Sequence, residues 1–214
     1  PVRDESGRRI RSAFTAVPKT VLISADYSQI ELVVLAHLSG DKNLCSAFIN
    51  GIDVHKSTAA LIYGISPEQV KPEQRRFAKT VNFGVMYGMS AFRLANELNI
   101  SRTEAKNFID QYFSTYSDVK KFLDETKRMA RENGYVETIT GRRRYIPEIK
   151  SSSKIVLQGA ERIAINTPIQ GSAADIVKTA MIKVQAALEK SDTGAKMLLQ
   201  VHDELIFECP EDNA

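Results

Sequence analysis

With 214 residues, 43% hydrophobic and 26% charged, the chain has the make-up of a water-soluble globular protein, large enough for one large domain or two small ones sharing a core. No apolar run approaches the roughly 18 residues of a membrane span and no signal peptide opens the sequence, so a cytoplasmic protein without a membrane partner is expected. The net charge of +3 is too small to establish a nucleic-acid partner, and Cys45 and Cys209, far apart and without CxxC spacing, read as reduced bystanders.

Pro1 to Arg11 is a polar, turn-like stretch without an initiator Met. Val21 to Ala25 is an apolar, β-prone run predicted to be a strand. Ile30 to Leu38 has helical spacing, with Ile30, Val33, Val34, His37 and Leu38 on one face, which makes His37 a core histidine. Asp53 reads as the N-cap of a helix, and Ser66-Pro67-Glu68 as the cap and proline that start the next. A helical pattern follows from Glu73 to about Ala95. Ser101-Arg102-Thr103-Glu104 is a capping-box signature for a helix to about Phe113. Ser117 to Glu132 is a charged amphipathic helix stopped by Asn133-Gly134. Tyr135 to Tyr145 reads as a hairpin around Thr140-Gly141. A long helix runs from about Lys154 to Leu188, interrupted by Pro168. Met197 to Glu208 reads as two short strands around His202-Asp203-Glu204. A strand at a chain end needs a partner, so further sequence is expected beyond it. The fold class is α+β: a few strands from the two ends of the chain, with a helical insertion between them. Pairing the first strand with the last two would bring Asp26 and Asp203 together.

Three constellations carry chemistry. Asp26 ends an apolar strand and Asp203 lies between two others. One such acid alone is better read as a turn residue. Two at strand ends, with Glu204 beside one, suit a pair of Mg²⁺ ions bound by carboxylates and substrate phosphates. Arg75, Lys79, Phe83 and Tyr87 recur every four residues, a stripe that drifts only about 40° per step and extends about 18 Å. Its cations suit phosphates, and its aromatics suit a sugar and base. Gly84 and Gly88 remove side chains where a ligand or neighbouring helix comes close. Arg162, Asn166 and Gln170 share one helix face. They read equally well as a solvated polar face or as donors to minor-groove acceptors, which every base pair presents in nearly the same way. The run Arg142-Arg143-Arg144 either touches a nucleic-acid backbone or, as such runs usually are, is solvated.

These segments together resemble family A DNA polymerases. DYSQIEL at 26–32 resembles motif A of that family, RRFAKTVNFGVMYG at 75–88 its motif B and QVHDE at 200–204 its motif C. AERIAINTPIQGSAADI at 160–176 is similar to the template-primer helix. The resemblance implies that Asp26, Asp203 and the backbone carbonyl of Tyr27 hold two Mg²⁺ ions, supported by Glu204. It implies that Arg75, His55 and Lys79 bind the triphosphate, with Lys79 also a proton donor to the leaving pyrophosphate. Gln29 joins the dNTP-binding set. Phe83 packs on the sugar, Tyr87 lies by the template base, and Glu31 fills the space a ribose 2′-hydroxyl needs. Arg162, Asn166, Gln170 and His202 contact template-primer DNA. One departure stands out: Val33 occupies a position where the family usually carries Arg.

On this reading residues 1–40 and 152–214 are palm, 41–151 are fingers, and the protein is a monomeric DNA-directed DNA polymerase using template-primer DNA, dNTP and Mg²⁺. Two rivals exist. A phage-type single-subunit RNA polymerase shares the architecture, but Glu31 and the Glu204 that follows His202-Asp203 argue against it. A DNA-binding remnant without catalysis has no need of the carboxylates and Lys79.

Overall fold

The computed structural model describes residues 5–214 and is α+β. The elements are α1 (Glu5–Ser12), β1 (Thr20–Asp26), α2 (Ile30–Ser39), α3 (Lys42–Ile49), α4 (Val54–Tyr63), α5 (Pro72–Met86), α6 (Ala91–Leu98), α7 (Arg102–Thr115), α8 (Ser117–Asn133), β2 (Tyr135–Glu137), β3 (Arg143–Tyr145), α9 (Lys154–Leu188), β4 (Lys196–Val201) and β5 (Glu204–Pro210). Contacts divide the chain into two compact units, Pro1–Ile30 with Ala174–Ala214, and Glu31–Ala173. Among the described residues no helix is long and apolar enough to cross a membrane.

The first unit is built on an antiparallel sheet of order β1-β5-β4. Both ends of the chain feed it, as the two apolar runs predicted. β5 lies between its two partners, so the last strand is paired on both sides within this chain. Leu205 and Cys209, on one face of β5, are buried, and Cys209 is a free core thiol. Ahead of the sheet, the segment read as turn-like is helical from Glu5 to Ser12, and residues 1–4 lie outside the described residues. The acidic Glu5 in its first turn and the later Arg9 complement the helix dipole. Polarity hid this helix, because it carries no apolar stripe.

The second unit is mostly helical, and caps set its element boundaries. Asp53 caps α4 by accepting from Lys56 N–H at 3.0 Å. Ser101 and Glu104 form the expected reciprocal box on α7. Gly134, at φ +79°, stops α8. The helix α3 is absent from the sequence reading, yet its N-cap Asp41 was available as a signal. Asp41 is buried, caps Leu44 N–H at 3.0 Å and accepts from Asp118 N–H at 3.1 Å, tying α3 to α8. Val119, Leu123, Thr126 and Ala130 form the inner stripe of α8, and Ala130 joins Val136, Ile146, Ile149, Ala160 and Ala164 in one core cluster.

Four expectations are corrected here. Ser66-Pro67-Glu68 opens only a 3₁₀ turn, Pro67–Gln69. His37 is exposed, not core: α2 buries Leu32, Val34, Leu35 and Ala36, while Val33 and His37, four apart, face solvent. Pro168 does not interrupt α9, which runs continuously from Lys154 to Leu188. A proline removes a single helical hydrogen bond, and the neighbouring Thr167 hydroxyl returns to the Ile163 carbonyl at 2.7 Å. Finally, the helix expected from Glu73 to Ala95 breaks after Met86. Gly88, at φ +66°, donates to the Val85 carbonyl at 3.0 Å, and Met89 N–H reaches the Gly84 carbonyl at 2.7 Å. This is a Schellman stop, which favours glycine at its left-handed position.

Gly88 has a second reason to be glycine. A Cβ there would sit 2.6 Å from Ile165 Cδ1 on α9. The left-handed conformation costs an L-residue about 1–2 kcal/mol, and the displaced Ile165 tip adds to it. Gly88→Ala should therefore lower the stability of this unit by about 1–3 kcal/mol, read as a lower urea midpoint at unchanged slope. An unaltered midpoint would mean that the Schellman stop relaxes freely.

Candidate active site

In the first unit the sheet register assembles the acids. Asp26, the last residue of β1, is the cross-strand partner of Glu204, the first of β5. Asp203 lies in the two-residue connection between β4 and β5, and Tyr27 N–H donates to its carbonyl at 3.1 Å. The residue after Asp26 is thus stitched to Asp203. Glu204 accepts from the Ser24 hydroxyl, two residues before Asp26 on the same face of β1. His202 holds φ +57°, and Gln29, between β1 and α2, holds φ +56°. Both acids are therefore flanked by non-glycine residues in a conformation that persists only where the surroundings impose it.

The donor set suits a hard divalent cation. Mg²⁺ takes one or two carboxylates from the protein and completes its shell with waters and substrate phosphates. Asp26 is exposed and Asp203 and Tyr27 border solvent, so oxygen ligands from outside can reach them. Among the described residues no group of three His, Cys, Asp or Glu forms a closed metal cage, and an Mg²⁺ site shared with a phosphate substrate does not require one.

In the second unit the stripe of α5 lies as its spacing predicts. Lys79 Nζ stands 5.8 Å from the Phe83 ring centroid. Phe83 stacks on Tyr87 at 6.1 Å and 27°, and His55 of α4 tilts against Phe83 at 5.8 Å. Tyr87 is the C-cap of α5 rather than an interior residue, and its hydroxyl donates to Glu31. Arg75 Nε donates to Asp53 Oδ2 at 2.6 Å. Burial alone would raise the Asp53 carboxyl, but the Arg75 bond and the Lys56 N–H outweigh it and hold it below its usual value. Asp53 thus caps α4 with one oxygen and orients Arg75 with the other, a second role its position as an N-cap did not reveal.

His55 is buried. Its Nδ1 lies 2.9 Å from Asn82 Nδ2, whose amide oxygen is 3.0 Å from the Thr58 hydroxyl. Asn82 and Thr58 are also buried and went unnoticed in sequence, although a polar residue on the inner face of α5, one position before Phe83, was a signal. Desolvation first, and then Arg75, push the His55 imidazole down to about 4; Asp53 pulls the other way, and Lys79 adds a smaller push.

On α9, Arg162 and Gln170 are exposed and Asn166 is half-buried. Arg142, Arg143 and Arg144 of the β2–β3 hairpin line a cleft of about 230 Å³ together with Gln170 and Gly171. Arg143 pairs with Glu137 at 2.7 Å and lies over the Tyr135 ring, and Arg142 Nη2 donates to the Gly171 carbonyl at 3.2 Å. Arg142 and Arg143 are therefore anchored rather than merely solvated. Among the described residues, the buried side-chain atoms without a protein hydrogen-bond partner are Gln29 Oε1, His55 Nε2, Asn166 Oδ1 and the Tyr112 hydroxyl. All but Tyr112 belong to the sequence-predicted site residues.

One unit thus carries a sheet that ends in neighbouring carboxylates, and the other a helix striped with cations and aromatics. The chain belongs to DNA polymerase family A, whose family profile matches residues 1–214. It is 53% identical over 214 residues to the thermostable DNA polymerase I of Thermus thermophilus, covering 100% of this chain and 26% of that protein. It is 55% identical over 210 residues to DNA polymerase I of Treponema pallidum (strain Nichols), covering 98% of this chain and 21% of that protein. Among solved structures it resembles the POL domain of Pol1 from M. smegmatis, described as a complex with DNA primer-template and dNTP. The TM-score is 0.93 and the identity 47%, over 99% of this chain and 37% of that one. The chain spans about a quarter of the length of these curated relatives.

The buried histidine makes stability depend on pH. Its folded value lies below its unfolded one, so the unfolded chain binds the extra proton. The penalty is absent above about 6.5 and grows as pH falls toward about 4. That gap corresponds to about 3 kcal/mol. Wild-type protein should lose more stability between pH 7 and pH 4.5 than His55→Gln, measured by urea unfolding. Parallel losses in the two proteins would show that His55 is not held neutral.

Proposed function

We propose that the protein containing this chain is a DNA-directed DNA polymerase that adds deoxynucleotides to a primer 3′-hydroxyl by two-metal-ion catalysis. The observation that carries this reading is the β1–β5 register, which sets Asp26 against Glu204 and beside Asp203. Residues 1–40 and 152–214 act as palm and 41–151 as fingers, in a cytoplasmic monomer.

Asp26, Asp203 and the Tyr27 carbonyl would hold the two Mg²⁺ ions. When bound, such ions activate the attacking hydroxyl and neutralise charge on the phosphates. Glu204, fixed by Ser24, keeps the carboxylate pair in register. In the second unit Arg75, Lys79 and His55 bind the triphosphate, and Lys79 protonates the leaving pyrophosphate. The Lys79–Phe83–Tyr87 stack supports a nucleotide lying along the stripe, with its sugar at Phe83 and its base toward Tyr87, and Gln29 joins the dNTP-binding set. The orphaned acceptor of Asn166, with Arg162, Gln170 and His202, suits contacts to template-primer DNA that do not select sequence. The tie between Tyr87 and Glu31 favours dNTP over rNTP, because it fixes the carboxylate that excludes a 2′-hydroxyl.

Asp26→Ala and Asp203→Ala should each abolish primer extension while sparing most DNA binding, which rests on phosphate contacts. Extension by either variant at near wild-type rate would remove the metal assignment. Glu31→Ala should lower discrimination between dNTP and rNTP by about 10–100-fold, measured as the ratio of kcat/KM values. A constant ratio would place the sugar gate elsewhere.

A further inference from the structure

Three buried polar residues lie behind the stripe of α5. Thr58 and His55 are on α4 and Asn82 is on α5, and each is at most 1% exposed. Buried polar groups without partners cost stability, so their hydrogen bonds must be accounted for one by one. The Thr58 hydroxyl donates to the Val54 carbonyl at 2.8 Å and to Asn82 Oδ1 at 3.0 Å, its proton shared between the two acceptors. With its oxygen so engaged, Asn82 turns its amide nitrogen, a donor only, to His55 Nδ1 at 2.9 Å. A neutral imidazole that accepts at Nδ1 carries its proton at Nε2. Nε2 is the His55 atom without a protein partner.

We infer that Asn82, anchored by Thr58, is a positioning residue that locks His55 in its neutral Nε2–H form, so that the imidazole offers an anion a hydrogen-bond donor without taking up a proton. The inference rests on the reading that His55 meets the triphosphate. The charged groups that act on His55 are Arg75 and Lys79 of α5 and Asp53 at the start of α4. Two cations against one carboxylate oppose an imidazolium there. A neutral donor is the remaining way for this side chain to bind a phosphate oxygen. The opposite tautomer would aim a lone pair at the phosphate and repel it.

The test uses the whole polymerase, ¹⁵N-labelled at histidine, with the His55 ring signals assigned by His55→Gln. At pH 7 the spectrum should show protonated Nε2 and bare Nδ1, and it should not change down to pH 6. A ring protonated at Nδ1, or at both nitrogens, overturns the inference. Asn82→Asp supplies the kinetic arm. A carboxylate can only accept, so it draws the His55 proton to Nδ1 and lets the pair take up a second proton at lower pH. The KM for dNTP should then be about tenfold above wild type at pH 8 and recover toward pH 6, with kcat changed by less than about twofold. Wild-type KM should show no such trend. A variant KM that equals wild type at both pH values overturns the positioning role, as does one raised equally at both. His55→Ala separates the underlying reading: an unchanged KM for dNTP in that variant removes the triphosphate contact itself, whatever tautomer the ring spectrum reports.

Discussion

The antiparallel register of β1 against β5 is the constraint on which the acidic site depends. Side chains in a strand alternate faces with period two, so a slip of one residue would send Asp26 to the opposite face and leave Glu204 facing an alanine. Nothing in the carboxylates favours their approach; like charges across a sheet repel. The ladder runs from Thr20 against Pro210 to Asp26 against Glu204, so the acids occupy its last pair. Ser24 supplies a donor to the Glu204 carboxylate, and the Tyr27 N–H bonds the Asp203 backbone carbonyl and so holds the two strand ends together. The shortness of the β4–β5 connection matters as well. With only His202 and Asp203 between the strands, His202 takes the left-handed backbone and Asp203 has little freedom to leave.

The second unit relies on a different device, a helix whose two faces do different work. The outward face of α5 carries Arg75, Lys79 and Phe83, and the inward face buries Ala78, Val81, Asn82 and Val85. Tyr87 closes the stripe because Gly88 ends the helix there through its left-handed backbone, and Ile165 of α9 occupies the space a side chain at Gly88 would need. At the other end Asp53 ties Arg75 through Nε, only one of the five guanidinium N–H donors, and so orients the group without exhausting it.

What was legible in the sequence follows from what local patterns encode. Spacing gives the faces of a helix, so the alignment of Arg75, Lys79, Phe83 and Tyr87 was readable before any coordinates. Caps and left-handed glycines announce boundaries, as Asp53, Ser101 and Gly134 did. Alternation and apolarity marked β1 and the terminal hairpin. The same rules misled where a tertiary neighbour decided the outcome. The apolar pattern from Glu73 to Ala95 continues across Gly88, and periodicity alone does not reveal the left-handed backbone that stops the helix there. His37 looked like core because α2 is apolar nearly all round, and only the packing shows which edge is left to solvent. Proline 168 looked like a break, but a helix held along its length by other contacts loses one hydrogen bond there and continues.

The residues that escaped notice share one property: they act through other residues. Asp53 orients Arg75, Asn82 and Thr58 engage His55, and Ser24 holds Glu204. None recurs at a telling interval with its partner, since the pairs are separated by 22, 27 and 180 positions. No periodicity argument can join them. Their physical signature is instead a local violation of the rule that buried polar groups be matched. Natural cores satisfy nearly every such group, and among the described residues the unmatched atoms are on Gln29, His55, Asn166 and Tyr112, three of the four being residues that the motifs single out. A protein keeps such groups unmatched, at a cost in stability, where something other than the protein completes them.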